Sequence, residues 1–255
     1  MAIECIGISK DYRLGQELTL QRTLSRLTQP WRTRPIARFR ALDDVTFTVP
    51  RGACFGIVGP NGSGKSTLTQ ILAGITVPSA GEARVWGRIL PLLEVGAGFH
   101  DELTGRENVY LLGSIMGLSN RQIGVALPEI LSFAGASVGR HIDSPMKRYS
   151  TGMKARLSFA AAMRFPAEIY VFDEVLAVVD EDFREQCLRE LTKLNATGRT
   201  ILFMSHNLEL VVELCNLGMW LDCGEVRHSG LIEDVAAAYR HSVAHGEPAA
   251  TEVSR

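Results

Sequence analysis

Gly59-Pro60-Asn61-Gly62-Ser63-Gly64-Lys65-Ser66-Thr67 follows the apolar run Cys54-Phe55-Gly56-Ile57-Val58 and opens onto Leu68-Thr69-Gln70-Ile71-Leu72-Ala73, whose apolar residues recur at helical spacing. Strand, tight loop and helix in that order, with the loop matching G-x-x-x-x-G-K-[ST], is the arrangement that cradles phosphate. Glycines let backbone N–H groups curl into an anion-binding nest, and the helix that follows aims its positive end at the anion. Lys65 can reach the β- and γ-phosphates of a nucleotide, and the Ser66 hydroxyl can hold Mg²⁺. A glycine-rich surface turn could match by accident, but not readily between a buried strand and a helix.

Working outward, Ile3 to Ser9 reads as a first strand that ends at Lys10-Asp11-Tyr12. From Lys10 to Arg40 there are eight basic residues (Lys10, Arg13, Arg22, Arg26, Arg32, Arg34, Arg38, Arg40) against Asp11 and Glu17. Leu20, Leu24, Leu27 and Trp31 share one helical face there, and Pro30 and Pro35 keep any helix short. Such a basic insert, about 13–40, either rests on an anionic membrane surface or a membrane partner, or packs on its own domain with a solvated arginine face. Ala41 to Val49 alternates as a strand, and Pro50-Arg51-Gly52 turns into the phosphate-loop strand.

Beyond the loop, Ala83 to Trp86 and Ile89 to Leu93 read as short strands. The stretch from about 99 to 165 then turns helical, with helices over Glu107–Met116, Arg121–Gly135 and from Thr151 onward. It reads as a helical subdomain inserted into an α/β core. The core resumes with Ile169-Tyr170-Val171-Phe172, a continuous apolar run ending in Asp173-Glu174. A helix over Glu181–Leu194, a buried strand over Thr200–Met204, a helix over Asn207–Cys215, a hairpin about Cys223-Gly224-Glu225 and a last helix over Leu231–Ser242 follow. The end, 244–255, is rich in small and polar residues and reads as a flexible tail.

Composition sets broad bounds on this reading. With 255 residues, 46% hydrophobic, 22% charged and a net charge of −1, the chain suits one large α/β domain, and its global charge favours no partner class, nucleic acid included. Five scattered cysteines without C-x-x-C spacing read as reduced thiols, not a disulfide framework or metal site. Met1-Ala2-Ile3-Glu4 does not open a signal peptide, and no apolar run approaches the roughly 20 residues a membrane span needs.

Downstream of a phosphate loop, an aspartate ending a buried strand is the usual second Mg²⁺ anchor, so Asp173 takes that role. Glu174 is then positioned to orient or deprotonate a water at the γ-phosphate. Tyr149-Ser150-Thr151-Gly152-Met153 opens a helix with Ser150 as N-cap, and Ser205-His206 follows a buried strand. Taken singly, those are an ordinary capped helix and a structural histidine.

In order, the pieces resemble the ATP-binding subunit of ABC transporters. The resemblance rests on the phosphate loop 59–66, a Tyr-Ser-Thr-Gly-Met signature, the Asp173-Glu174 strand end and a switch histidine at His206, and it covers about residues 3–243. It implies a P-loop NTPase core with an inserted α-helical subdomain and an N-terminal antiparallel β part, a single domain over 1–243. It implies that Gly59, Asn61, Gly62, Ser63, Gly64, Lys65, Ser66 and Thr67 hold ATP, with Tyr12 stacked on adenine. Ser150 and Gly152 of a second copy would close the pocket, Asp180 would lie at the dimer contact, and Glu174 and His206 would be catalytic.

Leu93-Glu94-Val95-Gly96-Ala97-Gly98-Phe99-His100, Leu103-Thr104-Gly105-Arg106-Glu107-Asn108 and Asp173-Glu174-Val175-Leu176-Ala177-Val178 narrow the resemblance. They look like the polysaccharide-exporting branch, which handles O-antigen, teichoic acid, capsule and related lipid-linked glycans. That implies ATP hydrolysis at the cytoplasmic face of the cell membrane, a separate transmembrane permease, and an ATP-sandwiched homodimer. Two departures stand out. No glutamine occupies the usual Mg²⁺- and water-contacting position, so Glu94 or a neighbour stands in, and Val179 replaces the glycine expected before Asp180. Some relatives carry a carbohydrate-binding β-domain after the ATPase. The few residues past the last helix leave no room for one, so no direct glycan binding is expected. Other readings are an ABC subunit for another cargo, a soluble ABC-type ATPase acting on ribosomes or DNA, and a plain P-loop kinase or GTPase. The missing coiled-coil heptads and second cassette weigh against the soluble class, and the signature with His206 weighs against the last.

Overall fold

The phosphate-loop strand β3 (Cys54–Val58) is buried at every residue, which is what a continuous apolar run requires of a central strand. The computed structural model describes residues 1–14, 37–92, 99–173, 176 and 179–245. In it β3 lies between β7 (Thr200–Ser205) and β8 (Leu217–Asp222) in a six-stranded sheet. From one edge the order is β5 (Ile89–Leu92), β6 (Ile169–Asp173), β7, β3, β8 and β9 (Glu225–Leu231). Neighbours are parallel from β5 to β8, and β9 turns back antiparallel on β8. A three-stranded antiparallel sheet, β2-β1-β4, is formed by β1 (Ile3–Leu14), β2 (Ala37–Val49) and β4 (Ala80–Val85).

Alternation along the parallel strands divides the core in two. Phe55, Ile57, Ile169, Val171, Leu202, Met204, Met219 and Leu221 face the antiparallel sheet and helix α1 (Lys65–Leu72), joining Ile3, Ile8, Leu42, Val45 and Leu68. Cys54, Val58, Tyr170, Phe172, Ile201 and Phe203 face the opposite way, into the core shared with the other helices. Between β5 and β6 the chain forms α2 (Gly105–Ile115), α3 (Asn120–Ala134), α4 (Ala136–His141), a 3-10 turn (Met146–Arg148) and α5 (Thr151–Arg164). After β6 come α6 (Glu181–Ala196), α7 (Leu208–Leu214) and α8 (Ile232–His245).

A cluster of four phenylalanines joins the helical insert to the sheet. Phe159 of α5 packs 5.5 Å from Phe172 of β6 and 6.2 Å from Phe183 of α6, and Phe133 of α3 lies 5.5 Å from Phe183. These rings come from four elements, and one of them, Phe172, immediately precedes Asp173, so the insert is keyed to the strand end that carries the acid.

Several boundaries differ from the sequence reading. β1 and β2 extend to Leu14 and back to Ala37, pairing as a ribbon beyond the core. The helix read over 121–135 is α3, which stops at Gly135 with φ 94°, and the short α4 that follows it was not read. The expected amphipathic helix of the basic insert, Glu94, Glu174 and the tail from 246 onward lie outside the described residues.

Candidate functional site

The candidate site forms at the carboxyl edge of the parallel sheet, where open α/β folds hold ligands. Register sets the edge: Asp173 pairs with Met204, Ile57 with Met204, and Val58 with Ser205. Asp173, the phosphate loop and the Ser205-His206 turn therefore leave three adjacent strands at one level. Asp173 and Lys65 are buried, 2% and 6% exposed, while His206 is exposed.

The loop is fixed between two neighbours that tolerate only glycine. A Cβ on Gly59 would stand 2.1 Å from the Leu221 carbonyl oxygen, and one on Gly64 would stand 2.6 Å from that of Ala41. Gly64 also takes φ 106°, the left-handed region, as the residue before α1. The Ser63 carbonyl accepts from Gly224 N–H at 3.0 Å, which ties the loop to the β8–β9 hairpin.

No side chain caps α1, so its first-turn N–H groups are directed into the loop. The Lys65 ammonium donates to the Gly59 and Pro60 carbonyls at 2.7 and 3.0 Å, holding the loop closed from within. Thr69 Oγ1 donates to the Lys65 carbonyl at 3.0 Å and meets Met204 Sδ at 2.9 Å, fixing α1 to β7. Ser66, Asn61 and Gly62 are exposed at the rim. Ser63 Oγ is buried with no protein hydrogen-bond partner, 2.8 Å from where a Cβ on Gly59 would stand.

An exposed Ser66 hydroxyl and a buried Asp173 carboxylate beside a phosphate cradle fit Mg²⁺, which is held by one or two protein oxygens plus substrate phosphates and water, not by a protein cage. No group of three or more His, Cys, Asp or Glu residues able to hold a metal exists among the described residues.

Tyr12 pairs directly with Phe39, and Lys10 with Leu42, on the ribbon whose second strand passes Gly64 at Ala41. The Lys10 ammonium lies 5.2 Å from the Tyr12 ring centre. Tyr12 is thus just beyond the loop along β1.

Ser150, Gly152 and Asp180 sit apart from the loop's own strands. Ser150 caps α5, accepting from Met153 N–H at 3.2 Å, and stands exposed at the start of the last helix of the insert. Tyr149 is buried beside it and donates to the His141 carbonyl at 2.7 Å; burial pushes its phenol up to about 12, so it remains a donor. Asp180 caps α6, accepting from Phe183 N–H at 3.1 Å, and pairs with Arg156 of α5 at 2.5 Å. The hydrogen bond from Arg156, with that from Phe183, holds the Asp180 carboxyl below the usual carboxylate range.

Two features escaped the sequence. Asn108, fully buried on α2, receives the His100 N–H at 2.6 Å and donates to the carbonyls of His100, Leu103 and Thr104 at 3.0, 3.2 and 2.9 Å. That fixes the loop after residues 93–98. The same loop is bound to the signature region through Met146 N–H to Leu103 O at 2.8 Å and the Lys154–Asp101 pair at 2.5 Å. The sequence reading quoted Asn108 only as the end of the stretch Leu103 to Asn108 and gave it no role of its own.

Phosphate cradle, an acid-ended strand two places along the same sheet, inserted helical unit and a capped serine on its last helix define a nucleotide-binding cassette of the P-loop class. Comparison with known proteins makes this specific. The family model described as ABC transporter matches residues 42–177, and the chain belongs to that family. It is 39% identical over 215 residues to the O-antigen export system ATP-binding protein RfbB of Myxococcus xanthus, covering 84% of this chain and 49% of that protein. It is 41% identical to the teichoic acids export ATP-binding protein TagH of Bacillus cereus, over 78% of this chain and 36% of that one. To an RfbB of Klebsiella pneumoniae it is 36% identical, over 81% of this chain and 83% of the other. The chain thus spans about half or less of the length of the Myxococcus and Bacillus proteins. Among solved structures, a dimeric post-hydrolysis state of the ATP-binding cassette MJ0796 bound to ADP and Pi superposes with a TM-score of 0.74 at 21% identity, covering 90% and 98% of the two chains. That likeness shows the fold.

Proposed function

We propose that this chain is the ATP-hydrolysing subunit of an exporter that moves a polysaccharide or lipid-linked glycan across the cell membrane through a separate transmembrane permease. The observation that carries the reading is the convergence of the glycine cradle, Lys65, Asp173 and His206 at one sheet edge, while Ser150 stands on a separate helical unit. The cargo class is supported by the O-antigen and teichoic acid export proteins among the relatives. No described helix is long and apolar enough to cross a membrane, which suits a role played through a permease.

In this reading Gly59 to Thr67 wrap the phosphates with backbone N–H groups, Lys65 leaves the Gly59 and Pro60 carbonyls for the β- and γ-phosphates, and Tyr12 faces adenine. Ser66 and Asp173 would hold Mg²⁺, with Glu94 or a neighbour from the segment 93–98, and its charge would neutralise the phosphates during transfer. Glu174 takes a proton from a water as it attacks the γ-phosphorus; the bond to the β–γ bridging oxygen breaks, leaving ADP and phosphate. His206 donates to the γ-phosphate oxygens. A second copy closes the pocket with Ser150 and Gly152, whose helix end supplies N–H groups and dipole, and Asp180 lies at that contact. Two ATPs hold the dimer and hydrolysis releases it, a switch passed to the permease through the helical insert.

Glu174→Gln is expected to bind and retain ATP with little turnover, and Lys65→Ala to lose ATP binding in a fluorescent-nucleotide titration. Wild-type turnover in Glu174→Gln would remove Glu174 from its role. Copurification of the tagged chain with a polytopic membrane protein supports the transport reading; copurification with ribosomes or DNA instead would contradict it.

A further inference from the structure

We propose that His241 and His245, one turn apart at the end of α8, form a two-imidazole site for an exchangeable transition-metal dication of the Zn²⁺ or Ni²⁺ kind. Both residues lie on α8, and His245 closes it. A spacing of four sets two side chains on one helix face, one above the other. The two rings stack with centres 4.1 Å apart and planes 19° from parallel. Two nitrogens that share one tetrahedral ion at about 2.0–2.1 Å stand roughly 3.3 Å apart, so the rings need only lean together at one edge. Both side chains are exposed and have room to do so.

The hydrogen bond at His245 prepares it for this role. Its Nδ1 lies 2.9 Å from the His241 carbonyl oxygen. A carbonyl only accepts, so Nδ1 carries the proton and donates, and in the neutral ring Nε2 keeps its lone pair. Metal-binding imidazoles are oriented by this same contact, one nitrogen donating to a carbonyl while the other meets the ion. No group of three or more His, Cys, Asp or Glu forms a site among the described residues, so water completes the coordination and the ion exchanges.

Position and chemistry select the ion. The carboxyl end of a helix carries the negative end of its dipole and favours a cation. Imidazole suits Zn²⁺ and Ni²⁺, whereas Mg²⁺ takes oxygen ligands. Earlier in α8, Ile232 and Val235 are buried in the core and Tyr239 meets Trp220 with ring centres 5.6 Å apart. Beyond them His241, Val243, Ala244 and His245 are exposed. An ion spanning the two imidazoles therefore ties down the one turn of α8 that the core does not hold.

The test is calorimetric titration of the whole chain with Zn²⁺ and with Ni²⁺, in the absence of nucleotide. It compares wild type with His241→Ala, His241→Gln, His245→Ala, His141→Ala and Cys223→Ser. His141 makes the same contact, Nδ1 to the Ser137 carbonyl at 2.9 Å, without a second histidine on its helix, and Cys223 is the exposed thiol that could compete for Zn²⁺. One ion per chain is expected. Losing a ligand costs no less than losing a ligand's partner, so affinity should fall at least about 10-fold in each variant of His241 or His245. It should be unchanged in His141→Ala and Cys223→Ser and under excess Mg²⁺. Amide exchange over 241–245 should slow when Zn²⁺ is added to the wild type and not to His245→Ala. Metal-free melting at the wild-type temperature checks that the variants fold; His241→Gln keeps a side chain of similar size should the alanine variant not. A wild-type chain that takes up neither ion overturns the proposal. So does binding that survives the loss of either histidine, that disappears in Cys223→Ser, or that Mg²⁺ displaces.

Discussion

Asn108 shows how one side chain can hold a whole loop in place. Its carboxamide satisfies the His100 N–H and the carbonyls of His100, Leu103 and Thr104 while fully buried. Truncation leaves those groups in a dry site, and a stranded buried polar group costs roughly 1–3 kcal/mol. Asn108→Ala should therefore lower stability by about that amount, with faster amide exchange confined to the loop after residue 98. Asn108→Asp should be worse than its shape suggests, since a carboxylate cannot donate to three carbonyls. Gly64 makes a second case. Its φ of 106° and the 2.6 Å approach of the Ala41 carbonyl to a Cβ leave no room for a side chain. Gly64→Ala is expected to lose roughly 1–3 kcal/mol in a denaturant melt. Melting at the wild-type midpoint would show that the ribbon gives way to the methyl group.

Among the elements, the helices of the insert begin where their side chains dictate. Thr104 and Glu107 form a reciprocal capping box on α2, and Ser119 and Gln122 do so on α3. Thr104→Ala should cost about 1 kcal/mol, measured as a lower melting temperature, because it removes the acceptor for Glu107 N–H. These caps, serine or threonine three residues before glutamate or glutamine, are local signals that start α2 and α3 at Gly105 and Asn120, two residues and one residue before the Glu107 and Arg121 read from periodicity. The β3 run was legible for the same reason, and the sequence placed it at Cys54 to Val58, as observed. The outer half of the β1–β2 ribbon was not, because Lys10, Asp11 and Arg40 have no core to alternate against; the Arg40–Asp11 pair that spans the ribbon is exposed. Gly135 between α3 and α4 was read as a helix end, yet nothing in Ala136 to His141 signalled another turn of helix. The site residues on one strand end or one loop could be read directly. The Phe133, Phe159, Phe172 and Phe183 cluster and the Arg156–Asp180 pair could not, since each joins elements distant in sequence.

At the level of the whole molecule, a sheet buried on both faces carries two chemistries at separate places. The cradle and its acid lie on the sheet edge, and the capped serine lies on the inserted helices. Ion pairs tie the insert together and to the core: Lys154–Asp101, Arg106–Asp143 and Arg156–Asp180. Hydrogen bonds from these cations hold the Asp101, Asp143 and Asp180 carboxyls below the ordinary range. Depressed folded-state values mean a contribution present above the unfolded value, about 3.9 for Asp, and lost as pH falls through the lower folded value. Melting temperature should thus decline as pH is taken below about 4, and less steeply in Asp143→Asn, which has one such group fewer. The account as a whole requires that neither copy completes its ATP pocket alone. Sedimentation velocity of Glu174→Gln with and without Mg²⁺-ATP tests this most directly. The account predicts a shift from the 27.9 kDa chain to a dimer only when ATP is present, and none when Ser150→Arg is added. A Glu174→Gln protein saturated with ATP that still sediments as a monomer would contradict it.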